Sequence, residues 1–275
     1  MQVVLSEMMP LLCSDGNWAS ARELIGDQNL VSFVDGGFTP VKAHITSVDD
    51  TAIYEFRTGT LRRVLAGHPL EFMNENGWCS TRGMYQSSRF STHHILKYNR
   101  IHIPRLIDVF GDNHTAPDWN EMVIKSILEH SEYGIYLPSY LVYLDKHSLC
   151  EILYGVFKSL YPDLRIYPGA MDPKMSRSIR LRGINQKSHD ILVHLMGRLG
   201  IQLTARAGEL KIRDVASRDR FAALLRLYRP KNLNDDIPIT DYIRVFKQHG
   251  NGPAVTIETD APNICDGGLV WRVPL

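Results

Sequence analysis

The stretch from Leu137 to Tyr228 constrains the fold most, because the spacing of its apolar residues describes a helix–strand–strand unit that is then repeated. The first helix is predicted over Ser148–Ser159, and extended segments follow at Leu164–Tyr167 and Arg177–Gly183. The order α-β-β-α-β-β-α predicts an α+β domain in which helices cover one face of a sheet.

The second half of this stretch carries clear helix and hairpin signals. A helix is predicted to begin after the N-cap Ser188 and to stop at Gly200. A hairpin is predicted around the turn at 207–208, and the last helix is predicted to open on Ser217. Together the signals predict four strands in one sheet and three helices packed on one face of it.

The predicted strands alternate between apolar and basic side chains, so one sheet face should be apolar and the other rich in arginine. The apolar face would comprise Ile179, Leu181, Ile201, Leu203, Leu210 and Ile212. The other face, which also carries Gln202 and Thr204, is predicted to bind nucleic acid. The residues predicted to make the contacts are Arg165, Tyr167, Arg180, Arg182, Arg206, Lys211 and Arg213. Arginine pairs with guanine edges, lysine suits a phosphate, and a tyrosine stacks or packs on a sugar. The alternative is a solvated basic surface that binds no ligand.

Charge is distributed unevenly along the chain, although the formal net charge is only +1. Residues 164–231 contain fifteen Lys and Arg against five Asp and Glu, a local balance of +10 that leaves −9 for the remainder. Clustered positive charge attracts phosphates over a long range. The asymmetry therefore favours a nucleic-acid partner, most simply duplex DNA, for this part of the chain.

The first 110 residues have a different rhythm, with short strand patterns separated by turn signals. Strands are predicted within 30–34, 41–48, 52–58 and 62–66, and turns at Asp35-Gly36-Gly37, Asp49-Asp50 and Thr58-Gly59. No βαβ alternation or glycine-rich phosphate loop occurs. This pattern predicts an all-β domain.

These runs resemble two known families. DGNWASARELIGDQNLVSFVDGG, IYEFRTGTLRRVLAGHPLEFMNENGW and the closing AVTIETDAPNICDGGLVWRVPL are similar to an intein-like Hint domain. LPSYLVYLDKHSLCEILYGVFKSLYPD resembles a signature block of LAGLIDADG homing endonucleases. The resemblance implies a Hint-like (horseshoe β) domain of residues 1–110 with 238–275, and an inserted LAGLIDADG-like half-domain of residues 111–237. Residues 85–136 match neither family, and Asp235-Asp236 would belong to a charged linker back to the β-domain.

The Hint resemblance implies protein splicing, but the residues that this chemistry needs are altered. Splicing starts with a nucleophilic Cys or Ser, whereas this chain reads Met-Gln-Val-Val at positions 1–4. Ser6 lies poorly in register, and Cys13 is expected to be a buried thiol. His68 matches the family histidine that acts on the scissile amide, but Leu65 replaces the hydroxyl residue three positions earlier. The terminal His-Asn pair falls on Arg272-Val273, so splicing is expected to be lost.

The endonuclease resemblance implies Mg²⁺-dependent cleavage of DNA, and here too the expected acid is missing. Gly155 matches the glycine through which signature helices pack, but the acidic positions fall on Leu160 and Lys158. Asp163 is the nearest candidate for a catalytic carboxylate. Two copies could form a homodimer through the Ser148–Ser159 helix, which would bind DNA without cutting it.

The sequence therefore predicts a splicing- and cleavage-deficient protein that is retained as a nucleic-acid-binding or structural subunit of a larger complex, such as a phage assembly. The alternative is an active homing endonuclease or autoprocessing intein with displaced catalytic residues. The candidates for those residues are His68 and Asp163. Of the two activities, only the endonuclease would need a cofactor, Mg²⁺. The four cysteines have no metal-ligand spacing and imply no disulfides, which favours a reducing compartment. No signal peptide or membrane span is recognisable, and a cytoplasmic location is expected.

Overall fold

The computed structural model consists of two compact units, Met1–Pro104 with Asp236–Leu275 and Arg105–Asp235. The sequence predicts that the first unit ends at residue 110 and resumes at residue 238. The structure describes residues 1–59, 62–74, 77–81, 100–129, 134–166, 179–206, 209–212, 214–227, 239–267 and 269–274, without the side chains of 205–206, 239–240 and 244–247. Over these residues the chain is mostly antiparallel β-sheet, and no helix is both long and apolar enough to cross a membrane.

The first unit is built from strands and one short 3-10 helix in its described part. The 3-10 helix spans Ala21–Leu24, where Ser20 and Glu23 form a capping box. The strands up to the middle of the chain are β1 Gln2–Ser6, β2 Pro10–Leu12, β3 Trp18–Ser20, β4 Gly26–Val34, β5 Gly37–Thr58, β6 Arg63–Ala66, β7 Glu71–Asn74, β8 Gly77–Ser80 and β9 Arg100–Ile103. After the second unit, this unit continues with β13 Ile239–Thr259, β14 Ile264–Cys265 and β15 Val270–Arg272.

Two long antiparallel strands, β5 and β13, run through this unit. β5 has 22 residues and β13 has 21, and they belong to a six-stranded sheet of order β4-β5-β6-β1-β13-β9. The sequence predicted two strands broken at Asp49-Asp50, and this prediction is wrong. Asp49 and Asp50 lie opposite the single residue Pro253, between the pairs Thr51–Gly252 and Val48–Ala254. The extra residue is accommodated as a β-bulge, so the strand continues through the acidic pair.

The hairpin that joins β4 and β5 is the turn predicted from the Asp-Gly-Gly run. Val34 pairs with Gly37, which leaves Asp35 and Gly36 as the two loop residues, with φ angles of 51° and 80°. Both angles lie in the left-handed region, as a type I′ turn requires, and Asp and Gly adopt that region readily.

The second unit combines helices with a small sheet. Its helices are α1 Pro117–Glu129, α2 Lys146–Leu160, α3 His189–Arg198 and α4 Val215–Leu224. Its strands are β10 Ile179–Leu181, β11 Leu203–Arg206 and β12 Glu209–Ile212. Two 3-10 helices, Ser139–Tyr143 and Gln186–Ser188, complete its regular structure in the described residues.

The helix predictions for this unit were right in position and partly wrong in their caps. α3 begins after Ser188, but the Ser188 hydroxyl accepts a hydrogen bond from Leu137 N at 2.8 Å instead of capping the helix. α4 begins at Val215, two residues before Ser217, because the Asp214 carboxylate caps it by accepting from Ser217 N at 2.9 Å. The Ser217 hydroxyl accepts from Gln202 N, so tertiary structure takes up this side chain.

The sheet of this unit has three strands in the described residues, in the order β10-β12-β11. The sequence predicted a first strand at Leu164–Tyr167, but Leu164–Ile166 are not in a strand, and Tyr167 lies outside the described residues. The predicted apolar face is confirmed, since Leu181, Leu203, Leu210 and Ile212 are buried.

The helix α2 packs inside the unit on both α1 and α4. A Cβ atom placed on Gly155 would lie 2.3 Å from Ile124 Cδ1 of α1, so the two helices approach closely at this glycine. Phe157 of α2 meets Phe221 of α4 with ring centroids 5.3 Å apart. The glycine face of α2 therefore packs on α1 of the same chain, and a homodimer through the Ser148–Ser159 helix stays a prediction.

Candidate nucleic-acid interface

Three of the predicted nucleic-acid contacts lie together on the polar face of the small sheet. Arg180 of β10 is the cross-strand partner of Lys211 on β12, and Arg182 follows on the same face of β10. We call Arg180, Arg182 and Lys211 the basic face. The alternation read from the sequence therefore brings these side chains together, because neighbouring strands in register place same-face residues side by side.

The end of β10 is fixed by contacts that hold Arg182 in place. The Tyr161 hydroxyl donates to the Arg182 carbonyl at 2.7 Å. Beyond it, Ile135 N donates to the Gly183 carbonyl at 2.7 Å, and Asn185 N donates to the Ile135 carbonyl at 2.9 Å. Burial raises the pKa of Tyr161 to about 12, so its hydroxyl remains a donor at neutral pH. Sequence reasoning missed Tyr161, whose role depends on a contact 21 residues along the chain.

The three basic side chains differ in their exposure. The side chains of Arg182 and Arg180 are 68% and 52% exposed, whereas that of Lys211 is only 11% exposed. Lys211 was predicted to be an exposed phosphate contact, but it is largely buried at the centre of the sheet. Gln202, predicted on the same polar face, is buried as well. The two arginines are therefore the accessible part of the basic face.

A single acid lies among these cations. Glu209 precedes Lys211 by two residues on β12 and so points to the same face. Its carboxylate lies 3.2 Å from Lys211 Nζ and 3.7 Å from a guanidinium nitrogen of both Arg180 and Arg182. The side-chain hydrogen bond from Lys211, together with the positive charge of all three partners, lowers the pKa of Glu209. The basic face with Glu209 thus has a net charge of +2, not the +3 of its cations alone.

Of the other four residues predicted to contact nucleic acid, the structure describes the side chain of Arg165 only. Arg165 is exposed and follows the turn after α2. Arg206 is the backbone partner of Glu209 across β11 and β12, but its side chain lies outside the described residues. Tyr167 and Arg213 also lie outside the described residues, so their part in the interface stays a prediction.

The net charge of +10 counted for residues 164–231 is larger than the positive charge at the surface, because several arginines in this range are buried. Arg198, Arg218 and Arg220 are each no more than 9% exposed. Arg198 donates from a guanidinium NH to the Val142 carbonyl at 2.7 Å and lies over the Phe110 ring. Burial lowers the pKa of Arg220, and the nearby Arg105 charge lowers it further. These residues serve the packing of the unit, and a charge count along the sequence could not distinguish them from surface arginines.

In the first unit, His68 contacts the backbone of β1. Its Nε2 accepts a hydrogen bond from Val4 N at 3.1 Å, and its Nδ1 lies 3.0 Å from the Pro69 carbonyl oxygen. Gly67 N donates to the Val4 carbonyl at 2.8 Å. The tautomer with its proton on Nδ1 satisfies both contacts, since Nδ1 then donates to the Pro69 carbonyl while Nε2 accepts from the amide of the Val3–Val4 peptide.

Cys13 and Arg272, which lie where the sequence was compared with the splicing residues of the Hint family, have surroundings that do not suit that chemistry. Cys13 is buried, and burial together with the Asp15 charge raises its pKa to about 11, as expected of an unreactive thiol. Arg272 Nε donates to Glu71 at 2.8 Å, and its guanidinium lies over the Trp78 ring.

Asp163, the candidate acid of the endonuclease alternative, is exposed and follows the end of α2. Across the parts of the chain that the structure describes, no three His, Cys, Asp or Glu side chains are grouped so as to hold a metal ion. A comparison with models of known protein families and with curated proteins finds no match.

Proposed function

We propose that this protein binds nucleic acid through the basic face of its second unit. The observation that carries the proposal is the position of Arg180 and Arg182, whose side chains are both more than half exposed. Arg180 is held by the β10–β12 pairing, and Arg182 follows β10 with its carbonyl bound by the Tyr161 hydroxyl. Two guanidinium groups at fixed separation can bind phosphates of a backbone and can reach base edges. The opposite, apolar face of the sheet is buried, whereas the Arg180 and Arg182 side chains are more than half exposed to solvent.

We propose further that the first unit is a Hint-like domain that has lost protein splicing. The contact between His68 and the Val4 amide supports this proposal, because it is the contact expected of the family histidine with a scissile peptide. Val4 has no nucleophilic side chain, so the acyl shift that begins splicing cannot occur there. The protein would then serve as a nucleic-acid-binding or structural subunit of a larger complex, such as a phage replication, transcription or packaging assembly.

A salt-titrated binding assay tests the nucleic-acid proposal. We expect a fluorescently labelled duplex DNA to bind with an affinity that falls steeply as KCl is raised, because bound cations release counterions from the DNA. The double variant Arg180→Ser/Arg182→Ser should bind at least about tenfold more weakly, and its log–log salt slope should be shallower by about two.

The matched control is Lys125→Ser/Lys146→Ser, which removes two exposed positive charges from α1 and α2 of the same unit. This control should bind nearly as tightly as the unaltered protein, since charges beyond the contact surface are screened by salt. Weak binding that does not depend on salt, or an equal loss in both double variants, would contradict the proposal.

The alternative to the loss of splicing is an autoprocessing activity at the Val3–Val4 peptide, whose amide His68 binds. Placing the chain between two reporter domains and measuring intact masses tests it directly. We expect a single unprocessed product. Ligated or separated reporters would show that a displaced nucleophile still acts and would contradict the loss of splicing.

A further inference from the structure

The three cations of the basic face converge on one carboxylate. Glu209 is 3.2 Å from Lys211 and 3.7 Å from each of Arg180 and Arg182. A carboxylate and a phosphodiester both present two anionic oxygens to guanidinium and ammonium groups. We propose that Glu209 occupies the position of a nucleic-acid phosphate in the free protein, that it lowers the affinity of the basic face, and that it turns aside when nucleic acid binds. This inference rests on the nucleic-acid-binding function proposed above.

The location of Glu209 explains why one residue can reach all three cations. β12 is the central strand of the sheet, between β10 and β11. Leu210 pairs with Leu181, the last residue of β10, and the residue that follows, Arg182, lies with its Nε 3.7 Å from the Glu209 carboxylate. Lys211 lies two residues away on the same strand, and Arg180 lies diagonally across from Glu209. The centre of the basic face is therefore the place where an anion receives the most positive charge.

The contacts between Glu209 and the two arginines are weak enough for a phosphate to replace the Glu209 carboxylate. An ion pair between exposed side chains stabilises a protein only slightly, since water solvates both partners well. Arg180 and Arg182 are more than half exposed, so their pairs with Glu209 are of this weak kind. The largely buried Lys211 holds Glu209 at the shortest distance. A phosphate that replaces the carboxylate would keep Lys211 paired, so the exchange need not leave a buried charge without a counterion.

The test compares Glu209→Gln with the unaltered protein in the duplex DNA binding assay. Glutamine keeps the size and the acceptor oxygen of glutamate but removes its charge. We expect E209Q to bind about threefold to tenfold more tightly, as expected for the loss of one negative charge within several ångströms of a phosphate.

Two controls separate this effect from general changes in charge or shape. Glu129→Gln removes the same charge from α1, where Glu129 forms an exposed pair with Lys125 at 3.7 Å, and it should leave DNA binding unchanged. Glu209→Asp keeps the negative charge on the same strand face, one methylene group nearer to the backbone, and should bind much like the unaltered protein. A thermal melt by circular dichroism establishes that each variant is folded, and Glu209→Thr, which suits a strand, replaces E209Q if glutamine prevents folding.

The outcomes distinguish this inference from the proposed function. If the unaltered protein binds with a steep salt dependence and E209Q binds no more tightly, the inference is overturned while the proposed function stands. An equal gain in E129Q would also overturn the inference, since it would show a general charge effect. If only E209Q binds, Glu209 blocks the site as inferred, and the proposed function fails for the unaltered chain. If neither binds, both fail.

Discussion

Gly155 of α2 lies so close to Ile124 of α1 that a Cβ atom at position 155 would be only 2.3 Å from Ile124 Cδ1. We expect Gly155→Val to lower the free energy of unfolding by about 1–3 kcal/mol, because it overpacks this helix contact. Gly155→Ala should cost less, since Ile124 Cδ1 is the end of a flexible side chain. Urea unfolding followed by circular dichroism measures both changes. Ser159→Val, an exposed substitution on the same helix, is the control, and an equal effect there would argue against the packing explanation.

Gly111 has an even closer neighbour, and in this case the neighbour is backbone. A Cβ atom on Gly111 would lie 1.9 Å from the Tyr143 carbonyl oxygen, next to the hydrogen bond from Gly111 N to the Leu144 carbonyl. We expect Gly111→Ala to destabilise the protein by at least about 2 kcal/mol, because two backbone segments must separate.

Gly252→Ala is the control for this substitution, since no heavy atom lies within 4 Å of its added Cβ. It should change the unfolding free energy by less than about 0.5 kcal/mol. Similar urea midpoints for both alanine variants would show that the approach at Tyr143 is not required.

His68 is expected to stabilise the first unit through its bond to the Val4 amide. His68→Ala should cost about 1 kcal/mol or more, because a partly buried backbone N–H then loses its acceptor. The exchange of the Val4 amide proton with deuterium should become faster, which reports this bond specifically. His44→Ala removes an exposed histidine from the same unit and should leave Val4 exchange unchanged. Unchanged exchange in His68→Ala would contradict the role given to His68.

Cys13 makes stability depend on alkaline pH. Its pKa is raised to about 11 by burial and by the Asp15 charge, so the folded state binds the thiol proton more tightly than the unfolded state does. The stabilising contribution is complete below the unfolded pKa near 9 and is lost as pH rises toward 11. Between pH 9 and 11, the unaltered protein should therefore lose more stability than Cys13→Ala. Parallel stability–pH curves for the two proteins would contradict this expectation.

The predicted basic face shows where sequence reasoning succeeds and where it stops. Two-residue alternation placed Arg180, Arg182 and Lys211 on one face, because side chains on a strand must alternate. The prediction did not include Glu209 on this face, and its role as the shared partner of all three cations follows from the pairing of β10 with β12. The burial of Lys211 likewise depends on its place in the central strand.

Local signals in the sequence determined the hairpin at Asp35-Gly36, the apolar sheet face and the positions of α2, α3 and α4, since each follows from backbone preferences within a few residues; α1 was not predicted. Tertiary structure decided the features that depend on distant partners. β5 runs through Asp49-Asp50 because β13 supplies Pro253 opposite them, and Asp214 caps α4 while the Ser217 hydroxyl serves Gln202. Polar groups take whichever partner the packed chain provides, and a partner far along the sequence leaves no local signal.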